Sequence, residues 1–260
     1  ELEVMNTNAV YSDLSGKVCV VTGGSRGIGA ATCLHFAASG AKVVVNGRNL
    51  EAIESVVSSI HAQNGQAAGV AADCTDPVAV AHLRRRSEEE FGQVDILIAF
   101  AGGSGEPIPV EQITLEKWRA VVDANLTATF LTVKEFLPGM IERKRGVILT
   151  MASSAGRLPG GASASYAAAK AGVVMFSRHV AQEVGRHGIR VNCIAPSAIL
   201  TDRIKKFMTE DAQQKLATSF PLGRIGRPDD VAMAALFLSS DSSAWLTGTT
   251  LDVAGGRIML

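Results

Sequence analysis

Residues 17–29 read KVCVVTGGSRGIG, an apolar run that breaks into a cluster of glycines. Four successive apolar side chains, Val18 to Val21, have the composition of a short strand covered on both faces. Residues 30–39 then read as an apolar helix. Glycines let the backbone take φ > 0, and they let a pyrophosphate approach the helix N-terminus, where free N–H groups and the helix dipole favour an anion. The spacing Gly23-x-x-x-Gly27-x-Gly29 differs from the common G-x-G-x-x-G fingerprint. Its place between a strand and a helix is what gives it meaning.

The alternation continues outward from this stretch. Strands are expected at 42–46, 66–72, 94–100, 146–151, 189–195 and 248–253. Helices are expected at 50–63, 77–91, 115–142, 165–186 and 228–239. This order predicts α/β architecture, a single doubly wound parallel sheet of about seven strands with helices on both faces. Residues 14–260 form the one expected domain, preceded by a polar, flexible N-terminal segment, 1–13. In such sheets ligands sit beyond the carboxyl ends of the strands, near the point where strand order reverses. Thr22, Asp73, Gly102, Ser153 and Pro196 all fall at such ends. The charge run from Arg84 to Glu90 reads as a solvated helix face with pairs one turn apart.

Composition narrows the function classes. A hydrophobic content of 47% over 260 residues with few aromatics supports a Val/Ile/Leu/Ala core rather than a disordered chain. A formal net charge of zero argues against a nucleic-acid or membrane surface. The four cysteines, Cys19, Cys33, Cys74 and Cys193, and the five histidines are scattered. No disulfide framework or metal site is expected, and reduced thiols suit a cytoplasmic protein. No apolar run has the length of a membrane span.

A second stretch, SSAGRLPGGASASYAAAK at residues 153–170, carries the chemistry. Tyr166 and Lys170 lie four apart in an alanine-rich helix and so share one face. A free tyrosine has a pKa of about 10. A lysine cation one turn away is expected to favour the phenolate, lower that pKa, and fit the phenol for general acid–base work. Ser153 lies where its hydroxyl can bond the same substrate oxygen.

Taken together, Thr22-Gly-x-x-x-Gly-x-Gly29, Asp73, Asn125, Ser153, Tyr166-x-x-x-Lys170 and Pro196-x-x-Ile199-x-Thr201 resemble the short-chain dehydrogenase/reductase family, with a Rossmann-type fold, from Leu14 to Gly256. The resemblance implies that Tyr166 is the general acid in ketone reduction and that Ser153 holds the substrate oxygen. Lys170 lowers the Tyr166 pKa and bonds the nicotinamide ribose, and Asn125 positions a water in a proton relay. It also implies cofactor contacts from Thr22, Gly23, Ser25, Arg26, Gly27, Ile28, Gly29, Arg48, Asp73, Cys74, Ala101, Gly102, Pro196, Ile199 and Thr201, with Tyr166 and Lys170. No metal is implied.

Cofactor choice follows from charge. An acid after the second strand would bond a ribose 2′-hydroxyl, whereas arginine accommodates a 2′-phosphate. Here the strand ends Asn46-Gly47-Arg48-Asn49, and Arg26 lies in the glycine loop, so NADPH/NADP+ is expected over NADH. Two positions depart from the family pattern. Ala99-Phe100 stands where Asn-Asn is usual, and Ser197 replaces the glycine after Pro196. Within the family the chain looks closest to 3-oxoacyl-acyl-carrier-protein reductases and related bacterial ketone reductases. The alternative is an NAD-dependent alcohol, polyol or sugar dehydrogenase; a non-catalytic dinucleotide sensor would not need the Ser153, Tyr166, Lys170 and Asn125 set. Substrate contacts are expected from 103–109, 155–165 and 200–220, the last with Ile204, Phe207, Met208 and Phe220 as an apolar lid. Arg143, Lys144, Arg145 and Arg186 would suit an acidic acyl carrier protein. The helices at 115–142 and 165–186 and the tail 245–260 match the surfaces the family uses to form a homotetramer.

Overall fold

The computed structural model describes residues 11–103 and 106–259. Seven strands form one sheet: β1 (Val18–Thr22), β2 (Lys42–Gly47), β3 (Gln66–Ala71), β4 (Ile96–Ala99), β5 (Gly146–Met151), β6 (Ile189–Pro196) and β7 (Thr250–Val253). All pairings are parallel, in the order β3-β2-β1-β4-β5-β6-β7. Strand order therefore reverses between β1 and β4, and the crevice at their carboxyl ends is the natural ligand position.

The helices are α1 (Gly27–Ala38), α2 (Leu50–Ala62), α3 (Pro77–Phe91), α4 (Leu115–Val122), α5 (Ala128–Arg143), α6 (Ala164–Val184), α7 (Asp202–Phe207), α8 (Glu210–Ala217) and α9 (Pro228–Ser239). Two apolar clusters sandwich the sheet. Cys19 and Val21 of β1 join Cys33 and Phe36 of α1, Ile53 of α2 and Leu236 of α9. Val18 and Val20 join Leu83 of α3, Phe136 and Met140 of α5 and Val184 of α6 on the other side. Successive residues of one strand thus feed opposite cores, which is why β1 shows no polar alternation. Polar caps set the helix starts: Asn49 accepts from the Ala52 amide at 2.7 Å, Asp76 from the Val78 amide at 2.9 Å, and Ser163 from the Tyr166 amide. Among the described residues no helix is long and apolar enough to cross a membrane.

Three local differences from the sequence reading matter. Helix α1 begins at Gly27, earlier than expected, so the glycines form its first turn. The helix expected at 115–142 contains a π turn, Asp123–Thr127, between α4 and α5. Ser12–Leu14 forms a 3-10 turn, with Leu14 buried and Asp13 Oδ2 accepting the Asp241 amide at 2.8 Å. The structured chain therefore begins ahead of residue 14.

Candidate active site

The glycine loop is shaped by contacts that exclude side chains. Gly23 and Gly27 have φ of +67° and +54°, which glycine adopts without strain. A Cβ on Gly29 would fall 2.1 Å from the Gly23 carbonyl oxygen. The Gly24 amide donates to Asn46 O at 2.7 Å, tying the loop to the end of β2. Arg26, the residue before α1, is extended and supplies no side-chain cap. The first-turn amides of α1 therefore face a glycine-walled concavity, a fit for an anionic pyrophosphate.

Around this loop the expected cofactor residues divide. Thr22 Oγ1 accepts the Ala101 amide at 3.1 Å, joining the ends of β1 and β4 across the switch point. Ser25 lies against Gly47, and Thr201 comes over Gly27, its methyl 3.2 Å from where a Cβ would stand. Ile28 and Ile199 turn their side chains into the apolar core. Cys74 does not present its thiol: it donates to Asn46 Oδ1 at 3.3 Å, and burial pushes it up to about 11. Only backbone at Cys74 could meet a ligand. Asn46, which sequence reading passed over, also donates to Val70 O and Ala72 O. Its signal was a lone amide ending an apolar strand.

Arg48 and Arg26 are exposed at the rim. The Arg48 guanidinium stands 3.8 Å from Asp73, with side chains 81% and 43% exposed, a separation and exposure that bind it weakly. The Thr75 amide and hydroxyl, and less strongly Arg48, hold the Asp73 carboxyl below its usual range. At the departures from the family pattern, Ala99 pairs with Thr22 and Thr150, and Phe100 packs into the core with Ile199. The Ser197 amide bonds Val253 O at 3.2 Å.

Ser153, Asn125, Tyr166 and Lys170 come from three separate parts of the chain and meet beside Gly102. A Cβ there would stand 2.8 Å from Asn125 Oδ1 and 3.4 Å from Lys170 Nζ. Asn125 is buried inside the π turn; its amide accepts from Gly103 N at 3.2 Å and donates to Gly103 O and Val121 O. A π turn is frequent at functional sites, and nothing in residues 115–142 announces it. Lys170 is buried and donates to Met151 O at 2.8 Å, with Nζ 5.7 Å from the centre of the Tyr166 ring. Burial pulls its pKa from 10.5 down to about 8.

The expected lowering of the Tyr166 pKa by Lys170 is corrected here. Desolvation raises the phenol, and the opposing influence is the nearby Ser153 hydroxyl. The lysine is spent on the Met151 carbonyl and is itself desolvated. Sequence spacing gave the shared face but not the burial that decides the sign.

Of the expected substrate contacts, Ser104 and Gly105 lie outside the described residues. Phe207 is 84% exposed on α7, whereas Phe220 is 3% exposed and belongs to the core beneath Arg257, not to a lid. Arg143, Lys144, Arg145 and Arg186 precede β5 and β6, at the amino ends of the strands, opposite to the edge that carries Ser153. Arg143 donates to Val94 O and Arg145 pairs with Asp95 at 3.4 Å. A cavity of about 500 Å³ opens at that far edge, lined by Lys17, Asp95, Arg145 and Trp245. It holds none of the acid–base set, so convergent chemistry rather than cavity size locates the site.

Comparison with known proteins agrees with this geometry. A family model described as short chain dehydrogenase matches residues 17–212. A 3-oxoacyl-[acyl-carrier-protein] reductase of Synechocystis sp. is 39% identical over 249 residues, covering 95% of this chain and 98% of the relative. A 3beta-hydroxysteroid dehydrogenase 1 of Eggerthella lenta is 40% identical over 253 residues, covering 96% and 97%. The crystal structure of a levodione reductase superposes with a TM-score of 0.90 at 32% identity, covering 94% of this chain and 98% of that one.

The buried Lys170 gives a signed pH dependence. Between about pH 8 and 10.5 the unfolded chain keeps a proton that the folded protein has released, so stability rises with pH through that window. The urea midpoint of the protein, measured against a Lys170→Met variant, should climb between about pH 7 and about pH 10. A difference that stays constant would mean the ammonium is not desolvated.

Proposed function

The chain belongs to the short-chain dehydrogenase family, and from that premise we propose that it is an NADPH-dependent reductase of ketones or 3-oxoacyl thioesters. The observation that carries the reading is the meeting of Ser153, Tyr166, Lys170 and Asn125 beside Gly102, at the carboxyl edge of the sheet. When bound, the nicotinamide supplies the hydride for the carbonyl carbon. Charge builds on the carbonyl oxygen as this happens, and Tyr166 meets it with a proton while Ser153 holds it by a hydrogen bond. A phenol raised by burial stays protonated at neutral pH, which suits the acid role and the reductive direction. Lys170 and the first-turn amides of α1 would hold the cofactor, and Asn125 would keep a proton path to Lys170 open.

The choice of NADPH rests on Arg48 and Arg26 at the rim and on the lack of an acid in Gly47-Arg48-Asn49. Arg48 is held only loosely by Asp73, which leaves it able to turn to a 2′-phosphate. The acyl-carrier partner is supported by the Synechocystis relative; the basic residues at 143–145 and 186 lie on the far edge and lend it nothing. The hydroxysteroid relative favours a second reading, oxidation of a secondary alcohol with NAD. A homotetramer is supported by apolar side chains exposed on α4–α6, Trp118, Phe130 and Met175, and on the tail, Trp245 and Met259. Four buried free thiols suit a cytoplasmic setting.

Purified protein assayed with acetoacetyl thioester, alkyl and aryl ketones and a hydroxysteroid should reduce a ketone or thioester with kcat/KM favouring NADPH. Equal use of NADH, or activity on the alcohol alone, would move the assignment to the dehydrogenase reading. Tyr166→Phe should lose at least about 10²-fold in turnover while still binding NADPH by fluorescence; retained turnover removes the phenol from the mechanism. Light scattering at micromolar concentration should give the mass of four chains, and a monomer mass refutes the tetramer.

A further inference from the structure

We propose that Arg157 and Asp252 are positioning residues, an ion pair that holds the Ser153 turn in register with Tyr166. The inference rests on the reading of Ser153 and Tyr166 as the reacting pair, and it concerns two residues that this reading does not use.

The pair is a two-pronged one. Arg157 Nε donates to Asp252 Oδ1 at 3.1 Å, and Nη2 donates to Oδ2 at 3.0 Å, with side chains only 13% and 12% exposed. A fork-to-fork contact fixes orientation as well as distance. An ion pair this secluded is poor evidence of added stability, because apolar residues of like volume serve as well. What it supplies is geometry.

Arg157 and Ser153 are the two ends of one hydrogen-bonded turn. The Ala155 amide donates to Ser153 Oγ, Gly156 N to Ser153 O, and Arg157 N and Leu158 N both to Ser154 O. The middle of the turn presses directly on helix α6: a Cβ on Gly156 would stand 2.6 to 2.8 Å from the backbone of Lys170 and Ala171. The catalytic hydroxyl, the lysine and the arginine therefore move as one body. Beyond Leu158 the chain runs through Pro159, Gly160, Gly161 and Ala162 with no backbone hydrogen bond before the Ser163 cap. Arg157 is the last side chain that fixes the turn before this free run. Its anchor, Asp252, lies on β7 and is registered opposite Ala195 of β6. The guanidinium thus reaches from the end of β5, past β6, to the edge strand. Without it, the C-terminal end of the turn would be held only by its own glycine-rich continuation.

The test measures NADPH binding and turnover of the best ketone of the panel above for Arg157→Met, Asp252→Asn, Ser153→Ala and the combined Arg157→Met/Ser153→Ala protein. Each charge-removing variant should lose about ten- to a hundred-fold in kcat with NADPH affinity unchanged. The pH at which reduction falls off should move upward, because Ser153 no longer draws the Tyr166 pKa down. In the Ser153→Ala background, Arg157→Met should cost nothing more. Asp252→Asn keeps the shape of the anchor, so it carries the test if Arg157→Met does not fold. Additive losses, or an unmoved pH profile, would reduce the pair to a structural brace and overturn the inference. Full turnover in Ser153→Ala would instead remove the serine itself, and the inference with it; a deficient Ser153→Ala beside fully active Arg157 and Asp252 variants overturns the positioning role alone.

Discussion

A single ammonium, buried under the sheet edge and held 2.8 Å from the Met151 carbonyl, joins the strand that delivers Ser153 to the helix that delivers Tyr166. Burying a lysine is costly unless its protons find acceptors, so the surrounding backbone has to be in place before the charge is tolerable. The same residue limits its neighbours. Gly102 and Gly156 approach so closely, one to Nζ and the other to the backbone beside it, that side chains at either position would collide with the site. The acid–base geometry is therefore a property of β4, β5 and α6 packed together, and of none of them separately.

The cofactor side obeys a different constraint, close approach of backbone to backbone. Gly29 over Gly23, Gly23 over Ala101 and Gly47 over Ser25 draw the ends of β1, β2 and β4 into one concave wall. Thr22 crosses the switch point with its hydroxyl and bonds the Ala101 amide. This contact ties β1 to β4 where the family pattern would place asparagines and this chain has Ala99 and Phe100. Phe100 instead adds to the core below the wall, so the local architecture is held by packing together with one hydroxyl.

What the sequence disclosed and what it withheld divide along physical lines. Strand, glycine turn and helix were readable because each depends on neighbours in the chain: four apolar residues in a row, glycine at Gly23, Gly27 and Gly29, and the Tyr166–Lys170 spacing. The sheet order followed from alternation and the rule that such crossovers wind one way. Features set by burial were not readable. The Cys74 thiol turns inward, Phe220 joins the core, and the phenol of Tyr166 is raised rather than lowered. Long-range partnerships were also hidden, as with Arg157 and Asp252, 95 positions apart. Each was still a charged residue alone in an apolar or glycine-rich stretch, a pattern that asks for a partner.

The π turn at Asp123–Thr127 has a consequence for how the gene can change. Such a turn amounts to one residue inserted into an α-helix, and here the surplus residue swings Asn125 toward Gly103. Deleting any one codon across the turn would restore regular winding and rotate everything downstream by about 100°. Val133, Phe136 and Met140 would then leave the sheet they cover, so the reading length of this segment is pinned by the hydrophobic stripe of α5 as firmly as by the chemistry at Asn125.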